Sequence, residues 1–195
     1  SIWTPESTPP EGLPVMVWIH GGAFERGTAS LPAYDGTTFA KDGVVFVGIN
    51  YRLGAEGFAV LEGAPLNLGL RDAAAALAWV HREIAAFGGD PARITIVGES
   101  AGGSLVAALL SRPETASLVA GAVIQSGPLV AESPTRAGRA TRALAKKLGV
   151  AATRQAFLAL TPEQLLEARG QIAAGSTPLK GAAGFSLAID PESLP

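Results

Sequence analysis

Four short stretches of the chain are apolar almost from end to end: Pro14–Ile19 (PVMVWI), Val44–Asn50 (VVFVGIN), Arg93–Val97 (RITIV) and Ala120–Gln125 (AGAVIQ). A strand with one wet face alternates apolar and polar residues. Continuous runs suit strands covered by helices on both faces, as in a parallel sheet. The segments between the runs read accordingly. Across Asn67–Phe87 the larger apolar residues are Leu70, Leu77, Val80, Ile84 and Phe87, close to a helical period, with Gly88-Gly89 and Asp90-Pro91 as the stop. A second helix follows Ser100, carries Leu105, Val106, Leu109 and Leu110 on one side, and ends before Pro113. Strands alternating with helices require right-handed parallel crossovers, so residues 1–127 are expected to form the α/β core, a doubly wound, mostly parallel sheet.

Residues 128–195 differ in character. Ser133-Pro134 marks the start of a helix running toward Gly149, with Leu144 and Leu148 as its apolar positions. Thr161-Pro162-Glu163-Gln164 has capping-box spacing and opens a further helix that Gly170 is expected to end. The tail from Ile172 to Pro195 is rich in Gly, Ala, Ser and Pro without a period and reads as loop. With no convincing strand, this part is expected to be a helical cap or insertion on the sheet.

One motif carries chemistry. Gly98-Glu99-Ser100-Ala101-Gly102 is G-x-S-x-G, directly after a strand run and directly before a helix, the context a nucleophile elbow needs. A serine on so tight a turn requires small neighbours, and the first N–H groups of the next helix then face the reacting carbonyl. His20-Gly21-Gly22-Ala23 follows the first strand run, where glycines let a backbone approach a ligand closely. Elbow hydrolases draw oxyanion donors from such a loop.

These stretches resemble the type B carboxylesterase family of α/β-hydrolases, which includes bacterial carboxylesterases and cholinesterases. The matching blocks are Pro14–Phe24, Val45–Phe58, Asn67–Gly102 and Ala122–Gly127, and FGGDPARITIVGESAG (Phe87–Gly102) is similar to the family's serine active-site signature without a gap. Ile189-Asp190-Pro191 and Leu194-Pro195 resemble another family segment more loosely. The resemblance implies an α/β-hydrolase fold and hydrolysis of small carboxylic esters through an acyl-enzyme. It also implies Ser100 as nucleophile and the backbone N–H groups of Gly22, Ala23 and Ala101 as the oxyanion hole. Two departures are Glu56, where an apolar residue is usual, and Ala73, where Gln is common.

A serine hydroxyl needs a base oriented by a carboxylate, in the chain order Ser, acid, His for this fold. Both histidines, His20 and His81, precede Ser100. The later acids Glu114, Glu132, Glu163, Glu167, Asp190 and Glu192 carry no motif that selects one. Ser1-Ile2-Trp3-Thr4-Pro5 resembles the last residues of a family strand. The expectation is an N-terminal-half fragment of an esterase, inactive alone, whose unpaired sheet edges invite self-association. The alternatives are a non-catalytic α/β-hydrolase-like binding module and an inert fragment; an intact GESAGG argues against the module.

Other classes fit poorly. The 195 residues carry 15 Lys and Arg against 17 Asp and Glu, a net charge of −2 with no basic stripe, so no nucleic-acid partner is expected. There is no G-x-G, no G-K-[ST], no cysteine and no His pair at i, i+4, hence no cofactor and no metal site. The longest uncharged stretch, Thr115–Ala131, is broken by Gly121, Gly127 and Pro128, and Ser100–Ser111 is too short to span a bilayer. No membrane role is expected. The compartment stays open, with the cytoplasm as default for want of a signal-peptide pattern.

Overall fold

In the computed structural model, described over residues 1–176 and 183–194, the four apolar runs become β2 (Leu13–Ile19), β3 (Val45–Ile49), β4 (Gly89–Glu99) and β5 (Gly121–Gln125). With β1 (Ile2–Trp3) they form one sheet in the order β1-β3-β2-β4-β5. All neighbours are parallel except β1, which lies antiparallel on β3. The expected doubly wound, mostly parallel α/β architecture is therefore present.

Burial along the strands is less even than the continuous runs imply. Every residue of β3 is buried, and β2 alternates, with Val15, Val17 and Ile19 inaccessible between half-buried Met16 and Trp18. β5 is the exception: it lies at the sheet edge, and Val123 and Ile124 are 44% and 37% exposed. An apolar run specifies a strand, but its cover depends on neighbours that the run itself does not encode.

Helices fill the crossovers. α1 (Thr37–Lys41) and α2 (Gly54–Phe58) are single turns, and α3 (Leu68–Glu83) continues as a 3-10 turn through Phe87. α4 (Ala101–Leu110) packs on β4 and β5, and α5 (Pro113–Ala116) leads into β5. Leu70, Leu77, Val80 and Ile84 of the α3 stripe pack with Leu105 and Leu109 of α4 and the inner face of β2 and β4 in one core. The single turns were not legible because one turn of helix has no period to read.

Past Gly127 come α6 (Pro134–Ala137), α7 (Arg139–Leu148), α8 (Arg154–Leu158) and α9 (Pro162–Ala174). Two expectations need correction here. The helix opened by Ser133 is broken at Gly138 into α6 and α7, although Ser133 Oγ does accept the Arg136 N–H. The Thr161 capping box is present, but α9 runs through Gly170 and stops at Gly175. Gly170 is exposed, keeps a negative φ compatible with the helix, and the helix absorbs its propensity cost of about 1 kcal/mol.

The tail read as loop begins inside α9, which keeps Ile172–Ala174 helical; beyond it the described part has no helix, but it is pinned. Asn67, buried at the head of α3, donates from Nδ2 to the Ala188 carbonyl (2.7 Å) and Ser193 Oγ (2.9 Å), and its Oδ1 accepts the Ala188 N–H (2.9 Å). Arg71 reaches Asp190 and Glu192 at 3.6 and 3.1 Å. Of the tail read as loop, residues 177–182 and 195 lie outside the described residues, and with them Pro195 of the Leu194-Pro195 resemblance. Among the described residues no helix is long and apolar enough to cross a membrane.

Candidate active site

The sheet register brings the two motifs together. Ile19 pairs with Gly98 and Glu99 with Gln125, so the loop after β2, the turn after β4 and the Ser126-Gly127 turn after β5 emerge at one carboxyl edge. That edge is where parallel α/β sheets bind ligands.

Ser100 stands between β4 and α4 with φ 54° and ψ −120°, a conformation L-residues avoid and one that costs on the order of 1–3 kcal/mol. Two hydrogen bonds hold it: its N–H donates to the Gln125 carbonyl at 2.8 Å, and its own carbonyl accepts the Ser104 N–H at 3.1 Å. Among the described residues its hydroxyl has no hydrogen-bond partner. Gly102 lets the turn close, because a Cβ there would overlap the Ile19 carbonyl and lie 2.7 Å from the His20 carbonyl.

The His20–Ala23 loop runs directly past the elbow: a Cβ on Gly21 would sit 3.1 Å from Ser100 Cβ. The loop turns left-handed over three successive residues, Gly22 (φ 118°), Ala23 (57°) and Phe24 (61°). Phe24 anchors it from below, with its ring buried 4.6 Å from that of Phe58 and its carbonyl accepting the Gly54 N–H at 2.7 Å. Glu25, next along, takes a bidentate clamp from Arg169 of α9 at 3.1 and 2.5 Å, and that guanidinium lies over the Phe185 ring.

Three N–H groups nominated by the sequence can be oriented from their partner carbonyls, because in a trans peptide the C=O and the following N–H point in opposite directions. The Gly22 carbonyl turns back to accept the N–H groups of Glu25 and Arg26 (3.0 and 3.1 Å), so the Ala23 N–H is directed the other way. The Ser100 carbonyl lies along α4, so the Ala101 N–H projects out of that helix's N-terminus. The Gly21 carbonyl accepts from His20 Nδ1 at 2.8 Å, which orients the Gly22 N–H by the same rule.

Among the described residues neither histidine is hydrogen-bonded to Ser100. His20 is 1% exposed, stacks on Tyr51 at 4.6 Å, and its Nε2 has no polar partner among the described residues. Burial pulls its pKa below the ordinary histidine value, against a smaller opposing effect of the Gly21 carbonyl. Burial, with Tyr34 nearby, pushes the Tyr51 phenol above its ordinary value; it stays a neutral donor to the His20 carbonyl at 2.7 Å. His81 sits half-buried on α3. The later acids are occupied elsewhere: Glu114 with Arg112, Glu132 with Arg136, Glu163 in the first turn of α9, and Asp190 with Ser193 and Arg71. Sequence reasoning missed the Tyr51, Phe24 and Arg169 contacts. Glu25 and Arg169 are 144 residues apart, and no local pattern announces such a pair.

Comparisons with known proteins bear on the family and the fold. The carboxylesterase family model matches residues 1–195. The chain is 42% identical to a para-nitrobenzyl esterase of Bacillus subtilis over all of its own length and 41% of that protein's, and 45% identical to a mouse cholinesterase over 76% of its own length and 26% of the other. A solved PNB esterase superposes with a TM-score of 0.87 at 40% identity, covering 100% of this chain and 43% of that one. A Geobacillus stearothermophilus carboxylesterase gives 0.86 at 41% identity, with 99% of this chain and 42% of that one covered. The chain thus spans well under half the length of the relatives it matches.

Proposed function

This chain belongs to the carboxylesterase family, and on that premise we propose that it supplies the nucleophile and oxyanion hole of a serine carboxylic-ester hydrolase. Ser100 Oγ attacks the ester carbonyl, the alcohol departs, and water releases the acid from the acyl-enzyme. The N–H groups of Gly22, Ala23 and Ala101 stabilise the negative oxygen of each tetrahedral intermediate. Residues 1–127 act as the hydrolase core and residues 128–195 as the cap segment beside it. The base that takes the Ser100 proton, and the acid that orients it, come from residues outside these 195, because His20 is held by Gly21 and Tyr51 and neither histidine is hydrogen-bonded to Ser100 among the described residues. Without them this chain alone turns over no ester. The substrate class is a small uncharged carboxylic ester.

The observation that carries the reading is the strained backbone at Ser100 beside a loop with three consecutive left-handed residues. Strain of this kind persists where geometry serves a reaction. In the intact protein, Ser100→Ala is expected to lower turnover of a p-nitrophenyl ester by at least about 10⁴-fold. Turnover surviving in that variant would refute the proposal.

A further inference from the structure

The three N–H groups of the oxyanion hole are not oriented by equivalent means. The carbonyls behind Ala23 and Ala101 accept main-chain N–H groups, which any sequence folding this way would supply. The carbonyl behind Gly22, that of Gly21, is held by a side chain, His20 Nδ1 at 2.8 Å. A carbonyl can only accept, so Nδ1 carries the proton and His20 is the neutral Nδ1–H tautomer.

Everything around His20 fixes the ring. It stacks on Tyr51 within 17° of parallel, the Tyr51 hydroxyl donates to the His20 carbonyl, and Gly27 passes so close that a Cβ there would lie 2.5 Å from Nδ1. Nε2 is buried with no polar partner among the described residues. A histidine buried with one nitrogen unsatisfied is costly, and leucine or phenylalanine would fill such a space without that cost. Among the described residues the one polar contact its ring makes is the bond to Gly21.

We propose that His20 is a positioning residue for ester hydrolysis: its Nδ1–H holds the Gly21 carbonyl behind the loop and thereby aims the Gly22 N–H at the substrate oxygen. Glycines at 21 and 22 leave that peptide free to rotate. Without the tether the plane can flip, placing a carbonyl oxygen where a donor is needed. His20 touches neither substrate nor Ser100; it acts through the Gly21–Gly22 peptide. This inference rests on the reading of Ser100 and Gly22 given above.

The test uses the intact protein with Ser100→Ala, His20→Phe and His20→Asn. Asparagine carries an amide N–H near the position of Nδ1 and can donate to the same carbonyl. Removing one oxyanion donor outright costs about 10²–10³ in kcat, so loss of its aim in His20→Phe is expected to lower kcat about 10- to 100-fold with KM nearly unchanged. Inhibition by a trifluoromethyl ketone, whose adduct places an oxyanion in the hole, weakens in parallel. His20→Asn recovers most of kcat even if its melting temperature stays low, which a purely structural role would not produce. Should His20→Phe fail to fold, imidazole ¹⁵N shifts of the wild type decide, with protonated Nδ1 expected and protonated Nε2 overturning the inference. A folded His20→Phe with wild-type kcat and ketone inhibition overturns it too, while Ser100→Ala remaining dead leaves the esterase reading intact. Activity surviving in Ser100→Ala overturns both.

Discussion

Gly102→Ala separates local preference from the packing of the site. Gly102 is the second residue of α4 and has no left-handed φ, so alanine suits its backbone. Helix propensity alone favours the change by about 1 kcal/mol. Space opposes it. The new Cβ would overlap the Ile19 carbonyl and come within 2.7 Å of the His20 carbonyl, where ordinary contact begins at 3.4 Å. Both obstacles are main chain, at the end of β2 and the start of the oxyanion loop, so neither can swing aside. The elbow and the loop must separate by roughly 1 Å, a misplacement of the size that costs about 10²-fold in rate. Overpacking of this kind costs about 1–3 kcal/mol, which outweighs the propensity gain. In the intact protein, kcat/KM for p-nitrophenyl acetate should fall about 100-fold, and the urea midpoint should fall with an unchanged m-value. Unchanged kcat/KM with a raised midpoint would refute the argument, since it would mean that the elbow and loop are not in contact through Gly102.

Gly170→Ala is the matched control: the site is exposed in mid-helix with nothing within 4 Å of a new Cβ, so stability should rise by about 0.5–1 kcal/mol and ester turnover should not change. Urea unfolding and steady-state rates check both. Asn67→Ala removes three buried hydrogen bonds to Ala188 and Ser193 and leaves alanine at φ 54°, so a loss of about 3 kcal/mol is expected in urea unfolding, with residues near 188 becoming protease-sensitive first. His20 gives a pH signature. Its folded pKa lies below the unfolded value of about 6.5, so the unfolded chain takes up the proton first. The stability held by neutral His20 is complete above that pH and drains away as pH falls through the folded value. Urea titrations between about pH 7 and 5 should show this slope in the wild type and its absence in His20→Asn.

What was legible in the sequence follows from locality. The four strands, α3, α4 and the Thr161 cap were readable because apolar runs, a helical stripe and a capping box are signals within one stretch. Ser100 and the His20–Ala23 loop were readable for the same reason, since strand, turn and helix occur in sequence around them. The partners that set their geometry were not. Tyr51 behind His20, Phe58 beneath Phe24, Gln125 holding Ser100 and Arg169 gripping Glu25 are brought in by the fold from distant positions. Gly170 misled because a helix tolerates an interior glycine at modest cost, so the residue name alone does not fix where the helix ends.

The most direct test of the central claim is intact-mass analysis of the intact protein after exposure to a fluorophosphonate, with Ser100→Ala alongside and the adduct located by peptide mapping. The account predicts a single adduct on Ser100 in the wild type and none in the variant. An adduct persisting in Ser100→Ala, or a folded wild type that takes up no reagent, would contradict it.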